Sequence, residues 1–132
     1  MSTDELINSA LKERNSAKAF FSNFRVGAIL VSDNNKIYRG CNIEISSYSL
    51  TICAERVAIF KAVSEGEKKF KSIYIASDSE KITSPCGACR QVLWELAGDI
   101  DVYMINRTGE YESQKMSTLL PLGFDKTYLR NP

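Results

Sequence analysis

The chain contains 132 residues, of which 44% are hydrophobic and 25% are charged, a composition typical of one globular domain. Its 17 lysines and arginines nearly balance its 16 aspartates and glutamates, so the net charge of +1 argues against a nucleic-acid-binding surface. The absence of histidine excludes every mechanism in which a histidine acts as a base or a metal ligand.

The first part of the chain predicts a helix followed by a β-hairpin. Apolar residues at helical spacing indicate an amphipathic helix over 4–19, with Thr3 as its cap. Val26–Ser32 is a short apolar run, and Lys36–Cys41 alternates between apolar and polar residues. The Asp-Asn-Asn sequence at 33–35 is typical of a turn, so these two runs are expected to pair as a hairpin.

Helices and strands then alternate along the rest of the chain. The predicted elements are a helix over 51–65 that ends at Gly66, a strand over 72–77, a helix over 84–97 that ends at Gly98, strands over 101–106 and 111–116, and a short helical or irregular piece over 119–124. Pro85 is expected at the first position of its helix, where no N–H is lost. We therefore expect a single domain over 1–132 with an α/β fold, in which helices cover both faces of a mixed five-stranded sheet as three α/β/α layers.

The four cysteines are the most informative residues of the chain. The N-terminal residues lack the pattern of a signal peptide and no segment has the length of a membrane helix, so we expect a cytoplasmic protein with no membrane partner and with reduced thiols. Cys86 and Cys89 form a C-x-x-C motif in the first turn of one predicted helix, and Cys53 lies in the first turn of another. Helix N-termini favour thiolates, which bind metals. The C-x-x-C alone fits a redox pair equally well, but the third cysteine favours a metal site.

Three thiolates without a fourth strong ligand are typical of a catalytic zinc ion, because structural zinc sites have four protein ligands. Cys41 is expected to be a reduced strand-end residue; as a fourth ligand, it would make the site structural. Glu55 is the candidate general base, and it can face the same ion as Cys53 only if that ion lies beyond the helix N-terminus. Arg56 or Arg90, each near a ligand cysteine, is expected to donate to a coordinating sulfur and to offset the excess negative charge.

Five motifs, in this order, closely resemble those of the small cytidine deaminases. They are F-x-V-G-A at 24–28, G-C-N-I-E at 40–44, C-A-E-R at 53–56, P-C-G-A-C-R-Q at 85–91 and L-L-P-x-x-F at 119–124. The resemblance spans nearly the entire chain. It implies hydrolytic deamination of free cytidine or deoxycytidine, one Zn²⁺ per subunit, and a homotetramer whose subunits share their sites.

The resemblance also implies roles for individual residues. Cys53, Cys86 and Cys89 look like the zinc ligands, and Glu55 looks like the residue that transfers protons. The implied substrate contacts are Phe24 against the pyrimidine, Asn42 and Glu44 at the ribose hydroxyls, Ala54 in the pocket, and Tyr48 and Phe124 near the pocket of a neighbouring subunit.

Three positions depart from the family pattern, namely Ile45, Ser46 and Gly123, and they bear on the sugar pocket and the subunit contacts. The helix over 51–65 is apolar nearly all round, so one side is expected to face the sheet and the other a second subunit. Two alternatives stay open at this point: a deaminase of another aminopyrimidine nucleoside, and a structural zinc module.

Overall fold

The computed structural model describes residues 1–129, which are built around one mixed β-sheet. Its strands are β1 (Val26–Ser32), β2 (Ile37–Cys41), β3 (Phe70–Ser77), β4 (Asp101–Ile105) and β5 (Tyr111–Lys115). The strand order is β2-β1-β3-β4-β5. Only the β3–β4 pair is parallel, and the other three pairs are antiparallel. The predicted five-stranded mixed sheet is therefore confirmed.

Helices cover both faces of this sheet, which confirms the three-layer α/β/α prediction. The helices are α1 (Thr3–Glu13), α2 (Ala54–Ser64), α3 (Gly87–Ala97) and the single turn α4 (Met116–Leu119). One apolar core lies between α1 and the sheet, and a larger one lies between the sheet and α2 with α3. None of the helices within 1–129 is long and apolar enough to cross a membrane.

The predicted helix over 4–19 is too long, and its cap is wrong. Ser2, and not Thr3, caps α1 through a reciprocal pair of hydrogen bonds with Glu5. After Glu13 the chain makes a single 3-10 turn over Arg14–Ser16 and becomes extended at Ala17. The Lys18 N–H then donates to the Asn42 carbonyl, and the Lys18 carbonyl accepts from the Glu44 N–H. These backbone groups are therefore unavailable to an α-helix.

Two glycines allow helices to lie unusually close to the sheet. A Cβ atom on Gly40 of β2 would overlap the Ala54 carbonyl oxygen and lie 2.7 Å from the Ala58 nitrogen, both in α2. A Cβ atom on Gly27 of β1 would likewise overlap the backbone of α1. The close approach at Gly40 fixes where the N-terminus of α2 lies, and that end of the helix carries Cys53.

Candidate active site

Three cysteine sulfurs form a cluster at the N-termini of α2 and α3. The Sγ atoms of Cys53, Cys86 and Cys89 all lie within 4.8 Å of one another, and those of Cys53 and Cys86 are 3.8 Å apart. A tetrahedral zinc ion with Zn–S bonds of about 2.3 Å separates its sulfur ligands by roughly 3.8 Å. The donor set and its spacing therefore fit one zinc ion.

Two of the three cysteines occupy helix N-cap positions and not first-turn positions, because α2 and α3 each begin three residues later than predicted. Cys53 precedes α2 and Cys86 precedes α3, both with extended backbone conformations (ψ 154° and 165°). Pro85 therefore lies outside the helix that it was expected to open. Cys89 lies within the first turn of α3 and is fully buried. The three sulfurs thus meet at the N-terminal ends of α2 and α3. This is the arrangement that Glu55 needs in order to face the same ion as Cys53.

The ionisation of the sulfurs depends on their proximity. A hydrogen bond from Cys89, helped by one from Arg56, lowers the pKa of Cys53 to about 5. In turn, the hydrogen bond to the Cys53 sulfur, together with burial, raises the pKa of Cys89. The cluster therefore holds one thiolate readily but resists further negative charge unless a cation shares the site, which is the behaviour expected of a metal-binding group.

The carboxyl group of Glu55 lies in the same site. Glu55 is the second residue of α2 and its exposed fraction is 4%. Burial raises the pKa of this carboxyl group to about 7, and the nearby Cys53 sulfur adds to the shift. A carboxyl group with a pKa near neutrality can both accept and release a proton at physiological pH.

The two arginines behave differently. The Arg56 Nη2 atom lies 3.4 Å from the Cys53 sulfur and donates to it, which is the contact that was expected of either Arg56 or Arg90. The Arg90 side chain has other partners. Its guanidinium donates to the Pro85 carbonyl at 2.8 Å, the Leu119 carbonyl at 3.0 Å and the Ser84 hydroxyl at 2.6 Å. Arg90 therefore links the loop that precedes α3 to Leu119, the last residue of α4.

A cavity of about 460 Å³ opens next to the sulfur cluster. It is lined by Cys53, Glu55 and Cys86, by four of the residues expected to contact substrate (Phe24, Asn42, Glu44 and Ala54), and by Ser22, Val26, Thr51, Ile52, Ile75, Ser77, Thr83 and Ser84. Small-molecule sites have volumes of roughly 300–1,000 Å³. The structure thus brings most of the predicted site residues into one pocket of suitable size.

The side chains of Asn42 and Glu44 form hydrogen bonds with backbone groups around this pocket. The Asn42 side chain accepts from the Val26 N–H and donates to the Phe24 carbonyl, both at 2.9 Å. The Glu44 carboxylate accepts the N–H groups of Phe21 and Ser22 at 2.8 and 2.9 Å, and also the Ser22 hydroxyl. These bonds, with that hydroxyl the largest contributor, lower the pKa of Glu44, so the carboxylate is charged near neutrality.

Cys41 lies apart from the sulfur cluster. The metal-binding group within residues 1–129 has three members, and Cys41 is not one of them. Its sulfur contacts the Ser16 carbonyl oxygen at 3.4 Å. This placement agrees with the expectation of a reduced strand-end cysteine and leaves the cluster with three protein ligands.

The family model for the cytidine and deoxycytidylate deaminase zinc-binding region matches residues 1–105. The chain belongs to this deaminase family. The cytidine deaminase of Sporosarcina psychrophila is 46% identical over 127 residues, which cover 96% of this chain and 93% of that protein. The cytidine deaminase of Halalkalibacterium halodurans is 43% identical over 125 residues, covering 94% and 95%. The crystal structure of cytidine deaminase from Burkholderia pseudomallei has a TM-score of 0.91 at 39% identity, covering 94% of this chain and all of that one (100%).

Tyr48 and Phe124 lie outside the wall of the cavity in this deaminase chain. Tyr48 is 71% exposed and packs edge-on against Phe21, with ring centroids 5.5 Å apart. Phe124 is 49% exposed, and Gln91 of α3 donates to its carbonyl at 2.6 Å. Both aromatic side chains are therefore accessible to another molecule. Tyr48 lines a second cavity, which shares Ser22, Glu44 and Thr51 with the one beside the sulfurs.

Several cavity residues of this deaminase were not singled out from the sequence. Ser22 and Thr83 have no motif around them that predicts a role, whereas Val26 falls within F-x-V-G-A and could have been included. Of the three departures from the family pattern, Gly123 has a clear structural correlate. A Cβ atom there would lie 2.9 Å from the indole nitrogen of Trp94, so a glycine accommodates the large Trp94 ring.

Proposed function

We propose that this chain hydrolyses free cytidine and deoxycytidine to uridine and deoxyuridine, with release of ammonia. The observation that carries the proposal is the position of Glu55, a buried carboxyl group with a pKa of about 7, beside three sulfurs suited to zinc in a substrate-sized cavity. The membership of the deaminase family supports the same reaction class. A structural zinc module is not favoured, because Cys41 lies away from the cluster.

Glu55 is assigned to proton transfer. Cys53, Cys86 and Cys89 would hold a zinc ion, which would act as a Lewis acid and lower the pKa of a water molecule toward about 7. Glu55 takes a proton from the attacking water and delivers it to the ring nitrogen next to the amine-bearing carbon. It then takes the remaining proton from the newly added hydroxyl and delivers it to the amine, so that the carbonyl forms as the C–N bond breaks and ammonia leaves. One water is consumed for each ammonia released, and Glu55 returns to its starting state.

The substrate is oriented by the cavity wall. Phe24 lies against the pyrimidine ring, and Ala54 closes the wall beside Glu55. Asn42 and Glu44 receive the ribose hydroxyls: an amide makes up to four hydrogen bonds, so Asn42 can bind a hydroxyl in addition to its two backbone partners. A base without a sugar would leave these polar groups without that partner, which disfavours free cytosine.

Arg56 supports the sulfur ligands. Three thiolates outweigh the +2 charge of zinc, and the Arg56 guanidinium beside the Cys53 sulfur offsets the excess. Burial of a cation costs free energy unless a partner compensates it, and the sulfur provides that partner.

We further propose that the active form is a cytoplasmic homotetramer that serves pyrimidine salvage, with Tyr48 and Phe124 placed near a neighbour's pocket. The support is the exposure of large apolar side chains in the single chain, including 43% for Phe60 and 38% for Val63 on α2. The buried residues Ala58, Ile59 and Ala62 occupy the other side of this helix. A helix that is apolar on both sides is expected to pack against a second subunit.

A spectrophotometric assay on cytidine, deoxycytidine and free cytosine, with zinc quantified per chain, tests the proposal. We expect turnover of both nucleosides, little or none of cytosine, and one zinc ion per chain. Turnover of cytosine alone would contradict the assignment of Asn42 and Glu44, and zinc-loaded protein without turnover of any of the three would contradict the reaction. Sedimentation velocity on the same sample tests the tetramer.

A further inference from the structure

The segment over 24–26, which forms one wall of the cavity, is held by side chains from two opposite sides. Asn42 binds Phe24 and Val26 on one side, through the Phe24 carbonyl and the Val26 N–H. The backbone of Arg25, between them, points to the other side. There, its N–H and its carbonyl both bind Asp78.

Asp78 makes an unusually complete set of contacts with Arg25. The Arg25 N–H donates to the Asp78 carboxylate at 2.9 Å, and the Asp78 N–H donates to the Arg25 carbonyl at 3.1 Å. The Arg25 guanidinium adds a bidentate pair, with Nε at 3.0 Å and Nη2 at 3.1 Å from the two carboxylate oxygens. Arg14 donates from the end of α1 at 3.0 Å. Charge-assisted and bidentate bonds of this kind fix geometry more firmly than neutral ones.

Asp78 itself does not line the cavity, so its influence on substrate would be indirect. It is the first residue after β3 and its side chain is 21% exposed. Since Phe24 and Val26 flank the residue that Asp78 holds, and both line the cavity, a loosened Asp78–Arg25 contact would move this wall.

The sulfur ligands have separate supports. Arg56 contacts Cys53, and Arg90 holds the Ser84–Pro85 loop that leads to Cys86. Loss of the Asp78 contact should therefore disturb substrate binding and leave the metal site in place.

We infer that Asp78 is a positioning residue for substrate binding, which acts by holding Arg25 so that Phe24 and Val26 form the wall against the pyrimidine. The inference rests on the proposed function, because it assigns Asp78 a role in the same pocket. Arg14 and Arg25 both bind the Asp78 carboxylate, and these bonds fix the position of the cavity wall relative to α1 and β3.

The test compares D78N with the wild-type protein in cytidine deamination. Asparagine keeps the shape but loses the charge and part of the acceptor capacity, so we expect KM to rise about tenfold while kcat per zinc-loaded site and the zinc content change little. D101N is the matched control: Asp101 forms one ion pair with Lys115 at 3.0 Å near the opposite end of the sheet, and its KM should equal the wild-type value. An unchanged KM in D78N would overturn the inference.

A double-mutant cycle separates positioning from general loss of stability. If Asp78 acts through Phe24, the D78N change should raise KM much less in an F24A background than in the wild type. Full additivity of the two effects would overturn the inference. F24A alone with a normal KM would instead refute the assignment of Phe24 in the proposed function.

R25M serves as the second variant in case D78N does not fold. It removes the bidentate pair but keeps the bond from the Arg25 N–H, so we expect a smaller rise in KM, roughly twofold to fourfold. A KM equal to the wild-type value in folded, zinc-loaded R25M would contradict the role of the arginine pair.

Discussion

The Arg56 guanidinium donates to the Cys53 sulfur over 3.4 Å, one helical turn along from the residue that carries this sulfur. The contact raises the pKa of Arg56, since the sulfur stabilises the charged guanidinium. The N-terminal turn of α2, which follows the ligand Cys53, thus carries a positively charged guanidinium next to that sulfur.

R56Q should lower kcat/KM by roughly 10-fold to 100-fold, and it should reduce the zinc content much less. Glutamine retains much of the packing but removes the charge that offsets the thiolates. Steady-state kinetics together with zinc analysis measures both effects. R107Q, which alters an exposed arginine paired with Glu80, is the control. Unchanged turnover in R56Q would refute the role of Arg56.

E55Q should keep its zinc and lose a factor of about 10² to 10⁴ in kcat, because the amide fills the same space but cannot transfer a proton. E65Q changes an exposed glutamate at the other end of α2 and should remain fully active. The measurement is cytidine turnover per bound zinc ion. Substantial activity in E55Q would require a different general base.

C89S should lose zinc and activity together, because it removes one of three sulfurs from the cluster. C41S should retain both, since the Cys41 sulfur contacts the Ser16 carbonyl and lies outside the cluster. Metal analysis after exhaustive dialysis distinguishes the two variants. Loss of zinc in C41S would revive the idea of a four-ligand structural site.

G40A should destabilise the protein by about 1–3 kcal/mol and weaken zinc binding, because its methyl group would push α2, and Cys53 with it, away from β2. Gly87 offers the matched control at the start of α3, where a Cβ atom would meet nothing within 4 Å. G87A should bind zinc and resist urea as well as the wild type does. Equal stability of G40A and G87A would show that α2 can shift without cost.

Asp78 also gives a prediction about pH. Burial acts to raise the pKa of its carboxyl group, but the hydrogen bonds and charge of Arg25, together with the charge of Arg14, outweigh burial and lower it. The folded chain thus binds this proton less tightly than the unfolded chain does. The resulting stability is fully present above the ordinary pKa of about 3.9 and is lost as the pH falls through the lowered value.

Urea unfolding of zinc-free wild type and D78N should therefore differ by roughly 1–3 kcal/mol at pH 7. The difference should shrink in strongly acidic buffer, where the wild-type carboxyl group is protonated and therefore neutral, as the asparagine amide is. EDTA in all samples keeps zinc loss out of the comparison. A difference that stayed constant across this range would mean that the charge of Asp78 contributes nothing.

The strands and the sulfur ligands could be predicted because both depend on local patterns. The apolar run at 26–32 and the turn residues after it predict a hairpin without knowledge of the rest of the chain. The spacing of Cys86 and Cys89, with Cys53 at the start of another helix, likewise indicates a shared ion. Both predictions are borne out by the sheet and the sulfur cluster.

The helix boundaries could not be predicted at the same level. Cysteine is not a usual capping residue, so nothing in the local sequence places Cys53 and Cys86 outside their helices. The early end of α1 depends on backbone bonds from Lys18 to the segment over 42–44, which a periodicity cannot reveal.

The supporting residues depend on contacts between distant parts of the chain. Arg90 lies next to a ligand in sequence, yet its guanidinium binds the Leu119 carbonyl, 29 positions away. Asp78 meets Arg25 and Arg14 across 53 and 64 positions. Sequence proximity to a motif therefore predicts the contact of Arg56 with Cys53, but not the contacts of Arg90 or Asp78.

The Cys53 and Cys86 sulfurs lie 33 positions apart, each at the point where a helix begins, with β3 between them. A divalent ion bound to both sulfurs would cross-link them reversibly. Such a cross-link closes this stretch of chain into a loop and lowers the conformational entropy of the unfolded state. Chelation should therefore release amide protons at the first turns of α2 and α3 well before those of the central strands begin to exchange.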